Sequence, residues 1–281
     1  MPPLIASPTL SADEYQFIAA KVYTHSRIRL GTDKQALVTG RLGKRLRELA
    51  LESFGAYCDL LESARGGAET EPLINLISTN HTNFFREVPH LDFLRDQVLP
   101  ALVPGLIRAH QPFRIWSAAS SSGEEPYTMA IVLAEFARAH GTFSWQVEAT
   151  DISTRILAKA KAGIYAADHV KLPLPELLPR YFQKGVGDHE GQYRVKDSLR
   201  AQVNFHHLNL LQAPYPVAAN QHVIFCRNVM IYFDTPTQQE LVNKLICQLA
   251  PGGQLIVGHS ESLLGLKHHL KILKPGVYQK T

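Results

Sequence analysis

The sequence predicts a largely parallel α/β sheet carrying an antiparallel insertion, preceded by a small all-helical unit. Three observations carry this prediction. From Phe113 onward, short β-rich runs alternate with helical stretches, as expected of strands joined by crossover helices. Residues 11 to about 66 follow helical periodicity instead. Between about Leu172 and Asn204 the α/β rhythm breaks, because a Pro-rich stretch is followed by GVGDHEGQYRVKDSLRAQVNF, which alternates like a hairpin.

A chain of 281 residues exceeds the usual size of one domain. Two are expected: a helical domain over 1–76 and an α/β domain over 77–281, with the insertion at about 172–204. Ser11 with Glu14 three residues on is a capping-box pattern that opens the first helix. A second helix over 34–51 places Val38, Leu42, Leu46 and Leu49 on one apolar stripe, with Lys34, Arg41, Lys44 and Arg45 along its flank. From Arg27 to Arg47 seven basic residues face one acid, Asp33. This face reads either as solvated surface or as a docking site for an acidic partner. The unit closes near Ala64–Ala68, and a further helix runs from about Glu71 to Ser78. Strands are expected at 113–118 (FRIWSA), 145–150 (WQVEAT), 222–227 (HVIFCR) and 254–259 (QLIVGH).

Composition narrows the class. With 45% hydrophobic and 19% charged residues the chain is an ordinary globular protein, not a disordered, collagen-like or disulfide-scaffold one. No apolar run reaches the roughly 18 residues of a membrane span, and MPPLIASPTLSADEY lacks the basic start of a signal peptide, so a cytoplasmic protein is expected. Cys58, Cys226 and Cys247 are odd in number and form no CxxC pair, so they read as inert buried thiols and no metal site is expected.

Four constellations carry chemistry. In IWSAASSSGEEPY a strand enters a small-residue loop ending at Gly123, and a helix then opens with Glu124, Glu125 and Pro126. Small residues let a ligand approach the backbone, as in the first turn of nucleotide-binding α/β folds. A dinucleotide site holds pyrophosphate on a bare helix N-terminus, and two glutamates there repel that anion. S-adenosylmethionine, with a sulfonium and an α-amino group, suits the acidic turn. In EATDIS, Asp151 follows the second strand, where an acid accepts ribose hydroxyls or, alternatively, caps the next helix. In HHLNLLQ, Asn209 could read an adenine edge and Leu210 cover its face, although Asn in a loop is commonly a turn residue. FCRNVMIYF puts Arg227 and Asn228 at the end of a buried strand, with Tyr232 four residues beyond Asn228. Finally, TNHTNFFRE places polar groups around Phe84 and Phe85, which fits a lid over a site or a pinned linker.

Taken together, TNHTNFFRE, WSAASSSGEEPY, ATDIS, AGIY, FCRNVMIYFD and GHSESL resemble, in order and approximate spacing, the CheR family of chemotaxis receptor methyltransferases. The resemblance covers nearly the whole chain, from about residue 13 to 279. It implies a Rossmann-like S-adenosylmethionine-dependent methyltransferase domain with an inserted antiparallel β-subdomain, preceded by a small all-α domain. It also implies methyl transfer to glutamate side chains of chemoreceptors, forming methyl esters. By match to the family's motifs, Asn80, Thr82, Arg86, Glu125, Asp151, Asn209, Leu210, Arg227 and Asn228 would contact the cofactor. Arg86, Arg227 and Tyr232 would lie near the transferable methyl and orient the acceptor carboxylate. His81 stands at a motif position that is often apolar in the family and receives no role. The helix bearing Lys34, Arg41, Lys44 and Arg45 would dock on the receptor's methylation region, and the loop Gly185–Val186–Gly187 matches members that bind a receptor C-terminal pentapeptide. A monomer without nucleic-acid partner or membrane insertion is expected. The competing readings are a methyltransferase on another acceptor such as RNA, and a cofactor-binding module without turnover.

Overall fold

The computed structural model describes residues 8–281. It separates into two units: the described residues through Thr79 with Tyr232–Thr237, and Asn80–Ile231 with Gln238–Thr281.

The first unit contains α1 (Ala12–Ser26), α2 (Gln35–Glu48), α3 (Phe54–Glu62) and α4 (Gly66–Ile77). The capping box forms: the Ser11 hydroxyl accepts from the Glu14 N–H, and the Glu14 carboxylate accepts from the Ser11 N–H at 2.8 Å. On α2, Val38, Leu42 and Leu46 are buried. Leu49 caps the helix and is only half-buried, because α2 ends one residue earlier than the stripe requires.

Two of the four flanking cations are engaged inside this unit. The Arg45 guanidinium grips the buried Glu69 through Nε (2.9 Å) and Nη2 (2.7 Å), and the Tyr57 hydroxyl donates to the same carboxylate at 3.0 Å. Arg41 Nη1 donates to the carbonyls of Leu76, Ile77 and Ser78, meeting the negative end of α4. The expectation of four free charges along one face is thereby corrected: Arg41 and Arg45 are half-buried structural groups. Lys34 and Lys44 are exposed, paired with Asp33 at 2.7 Å and Glu48 at 3.9 Å. In the 232–237 segment the Tyr232 carbonyl accepts from the Arg29 N–H (2.9 Å), and the Tyr23 hydroxyl donates to Asp234 at 2.6 Å.

The second unit opens with α5 (Val88–Phe93) and α6 (Leu99–Arg108), joined by a π turn over 94–98. There follow β1 (Phe113–Ala118), α7 (Glu124–His140), β2 (Trp145–Asp151), α8 (Thr154–Ala162), β3 (Ile164–Ala166), α9 (Leu177–Tyr181), β4 (Phe182–Lys184) and β5 (Gln192–Val195). The chain continues through α10 (Asp197–Arg200), β6 (Val203–His207), β7 (Gln221–Cys226), α11 (Thr235–Gln248), β8 (Leu249–Val257), β9 (Leu270–Lys274) and β10 (Val277–Lys280). The main sheet has the order β6-β2-β1-β7-β8-β10-β9, parallel from β6 to β8 with the last two strands antiparallel. Its central strands are buried along most of their length, in keeping with their β-rich apolar segments.

The small sheet, β3-β5-β4, is antiparallel. It begins earlier than the expected 172, since the three-residue strand Ile164–Ala166 is recruited as one edge. Three residues are too few to show a period. Of the three cysteines, Cys226 alone is buried; Cys58 is half-buried and Cys247 exposed, which corrects the reading of all three as core thiols.

Candidate cofactor and acceptor site

The chain leaves β1 toward β2 on one side and later returns to β7 on the other, so the strand order reverses between β1 and β7. In open α/β sheets ligands settle at the carboxyl ends of the strands beside such a reversal. The residues following β1, β2, β6 and β7 carry most of the chemistry-bearing motifs.

The β1–α7 loop is tightly wound. Gly123 takes φ +96°, and a Cβ there would lie 2.9 Å from the Tyr165 hydroxyl and 3.0 Å from Ala160 Cβ, so no side chain fits. The same hydroxyl donates to the Ser122 carbonyl at 2.7 Å. Asp151, 6% exposed, receives the Ser121 N–H on Oδ2 and the Ser153 N–H on Oδ1, both at 2.9 Å. Burial raises its pKa, while those backbone N–H groups lower it. Ser153, not Asp151, caps α8. A carboxylate has about four acceptor sites, so with the Ser121, Ser153 and Ile152 N–H groups facing Asp151 it can still accept from a ligand hydroxyl. Among the described residues the buried Ser120 hydroxyl in this loop has no hydrogen-bond partner, which leaves it able to bond a bound group.

The two glutamates at the start of α7 take different parts. Glu124 turns inward, is buried, accepts from the Ser122 hydroxyl at 2.6 Å, and has its pKa raised by burial. Glu125 accepts from the Ser117 hydroxyl (2.7 Å) and from Arg227 Nε (2.7 Å). Arg227 also donates through Nη1 to the Arg86 carbonyl (2.9 Å) and to Glu87 (3.3 Å), and its side chain is 2% exposed. The expectation that it orients an acceptor carboxylate gives way to a different position: Arg227 ties Glu125 to the Arg86 carbonyl and the Glu87 carboxylate. Asn228, at φ +58°, donates its side-chain N–H to Glu87 at 3.3 Å.

The 80–87 segment lies against this network. The Ser121 hydroxyl donates to the Asn80 carbonyl (3.0 Å), the Phe85 N–H donates to Thr128, and Phe84 packs edge-on against Tyr165 and Phe182. Thr82 and Arg86 are half-buried, and Arg86 Nη1 donates to the His81 carbonyl at 3.0 Å. After β6, Asn209 forms a turn, its Oδ1 accepting from the Leu211 N–H (3.0 Å), and Leu210 is buried. Tyr232 falls in the segment grouped with the helical unit. In the small sheet, Val186 is 79% exposed, Gly187 takes φ +58°, and the Gly185 N–H donates to the Gln192 carbonyl. This loop borders a cavity of about 410 Å³ lined also by Lys184, Arg194 and Arg200.

Residue-by-residue sequence reading misses Glu87, His90 and Glu261, whose partners Arg227 and the 228–231 backbone lie far along the chain, and Ser117, which meets Glu125 only because α7 folds back beside β1. Glu87 is held below the usual carboxylate range: burial opposes this, but Arg227, the Asn228 side chain and the His259 N–H prevail. His90 is buried beside Glu87 and Arg227; burial first, and then the Arg227 charge, lower its pKa to about 4. Glu87, His90 and His259 group their ligand atoms within 4.8 Å. The cation among them is the Arg227 guanidinium, 3.3 Å from Glu87 and 3.5 Å from His90.

Two family models match the chain: the CheR methyltransferase, all-alpha domain over residues 13–78, and the CheR methyltransferase, SAM binding domain over residues 80–278. The chain belongs to the CheR methyltransferase family. A chemotaxis protein methyltransferase of Escherichia coli is 42% identical across 96% of this chain and 91% of its own length. That of Salmonella typhimurium is 40% identical, covering 96% and 90%, and that of Borreliella burgdorferi 38%, covering 97% and 95%. This CheR-family protein is therefore an S-adenosylmethionine-dependent methyltransferase. The residues at the carboxyl end of the sheet fit that cofactor. Asp151 can still accept from a ligand hydroxyl, Glu125 lies in the first turn of α7, and the Ser120 hydroxyl awaits a partner.

Proposed function

We propose that the protein transfers a methyl group from S-adenosylmethionine to glutamate side chains in the cytoplasmic region of chemoreceptors, forming methyl esters in chemotactic adaptation. The observation that carries the reading is the acidic, tightly wound edge at Asp151 and Glu125, which suits a cationic cofactor, in a chain about 40% identical to chemotaxis protein methyltransferases over nearly its whole length.

When bound, the cofactor supplies an electrophilic methyl group on a sulfonium. Asp151 holds the ribose hydroxyls and Glu125 the amino group of its methionine portion, with Asn80, Thr82, Asn209, Leu210 and Asn228 completing the lining. A glutamate with a pKa of about 4.3 is ionised at neutral pH, so its oxygen attacks without a general base. The protein must strip water from that carboxylate and align it, and such positioning is worth roughly 7 to 11 kcal/mol. Arg86 suits this role, since its guanidinium donates to one carbonyl, whereas Arg227 is buried and already paired with carboxylates. Arginine's planar fork matches a carboxylate, and a grip looser than a buried ion pair leaves the nucleophile reactive. Tyr232 assists in orienting the acceptor.

Receptor docking on the helical unit is carried by Lys34 and Lys44, with Arg41 and Arg45 shaping the helix that presents them. At the small sheet, the Gly185–Val186–Gly187 loop and its basic cavity suit strand addition of a receptor tail peptide. The protein acts as a monomer in the cytoplasm; among the described residues no helix is long and apolar enough to cross a membrane. The test is transfer of labelled methyl from S-adenosylmethionine to a receptor cytoplasmic fragment. Label released by mild alkali supports carboxyl esters, and cofactor binding without receptor label points to another acceptor.

A further inference from the structure

The GHSES segment after β8 contributes a residue that explains the shape of the cofactor edge. Glu261 is 7% exposed, and its carboxylate receives five backbone N–H groups. Oε2 accepts from Gly258 (2.8 Å) and Asn228 (2.7 Å), and Oε1 from Val229 (2.9 Å), Met230 (2.8 Å) and Ile231 (3.3 Å). Four of these donors are consecutive residues, and they begin directly after Arg227. The turn starts with Asn228 in the left-handed region at φ +58°, which asparagine accepts more easily than most residues, and it brings four successive N–H groups to face one point. Converging N–H groups also repel one another unless an anion stands between them. The fit is close: a Cβ on Gly258 would lie 2.8 Å from Glu261 Oε2 and 2.7 Å from Asn228 Nδ2.

We infer that Glu261 is the positioning residue of the cofactor site, its carboxylate serving as the template on which the 228–231 turn is wound. It acts through the backbone, fixing Asn228 in its left-handed conformation. In this way it sets where the side chains of Arg227 and Asn228 meet Glu125 and Glu87. The inference rests on reading this edge as the S-adenosylmethionine site.

Two substitutions in the full chain test it, with S-adenosylhomocysteine binding by calorimetry, KM and kcat for methyl transfer, and circular dichroism as a check of fold. Glu261→Gln keeps the side chain's size but turns an amide N–H against the backbone donors. Its affinity falls about tenfold or more, and KM for S-adenosylmethionine rises by a similar factor with a smaller change in kcat. Glu261→Asp, which keeps the charge, lies between it and wild type. Hydrogen exchange on the unaltered, cofactor-free protein gives an independent reading: the Val229, Met230 and Ile231 amides are already protected. A folded Gln variant that binds as tightly as wild type overturns the inference, as do amides 229–231 that exchange at open-loop rates. Wild type that fails to bind S-adenosylhomocysteine would instead remove the cofactor reading of the edge.

Discussion

Arg86 and Arg227 stand close in the structure, linked through the Arg86 carbonyl, yet their environments assign them different work. Arg227 is buried against two carboxylates, whereas Arg86 is half-buried and holds one carbonyl. Arg86→Ala is therefore expected to lose turnover by about a hundredfold or more while the protein remains folded, as kcat from labelled methyl transfer would show. Arg227→Ala is expected to destabilise the fold as well, by about 3–5 kcal/mol, because it leaves Glu125 and Glu87, each with a side chain only 11% exposed, without their cation; urea unfolding measures this. Asp151→Ala removes an acceptor that two loop N–H groups already orient, and S-adenosylhomocysteine affinity should drop about tenfold or more by calorimetry. The place of Asp151 at the end of β2 was legible from sequence because an acid closing a strand is a local signal. Glu261 and Glu87 were not, because their partners lie about thirty and 140 residues away and leave no trace in spacing.

Within a helix or strand, a side chain's place depends on what that element packs against. The α2 stripe of Val38, Leu42 and Leu46 was legible as a buried face. The use of its basic flank was not, since Arg41 and Arg45 found partners on α4. Glu69→Ala would leave the Arg45 guanidinium and the Tyr57 hydroxyl without that carboxylate, costing about 3–5 kcal/mol in urea unfolding. Unchanged stability would mean that water or Glu48 replaces Glu69 at no loss. Among strands, β1, β2, β7 and β8 could be read because each carries a short β-rich run that is mostly buried. The strands β3, β9 and β10 escaped because they are short or half-exposed, and β9 carries a register shift against β10.

Across the molecule, the family's architecture was legible because motifs at successive strand ends keep their order even where single elements blur. Stability against acid is likewise a collective property. His90 is neutral in the folded state down to about pH 4, whereas in the unfolded chain it protonates near its ordinary value of 6.5. Between these values the unfolded state binds the extra proton, so stability falls as pH drops, by at most about 1.4 kcal/mol per pH unit. Thermal melts from pH 7 to about 4.5 should show this decline, and His90→Gln should flatten it. A decline of equal slope in that variant would assign the effect to other groups.

If an already ionised glutamate is methylated by positioning alone, no proton has to leave the acceptor during transfer. Single-turnover transfer of labelled methyl to a receptor fragment, scored as alkali-labile ester across about pH 7 to 9, examines that requirement at the chemical step itself. Labelled ester should form at a rate that stays flat across this range. A rate that climbs in proportion to hydroxide and levels off would reveal a general base and refute transfer by positioning alone, and label that resists alkali would refute the glutamyl ester.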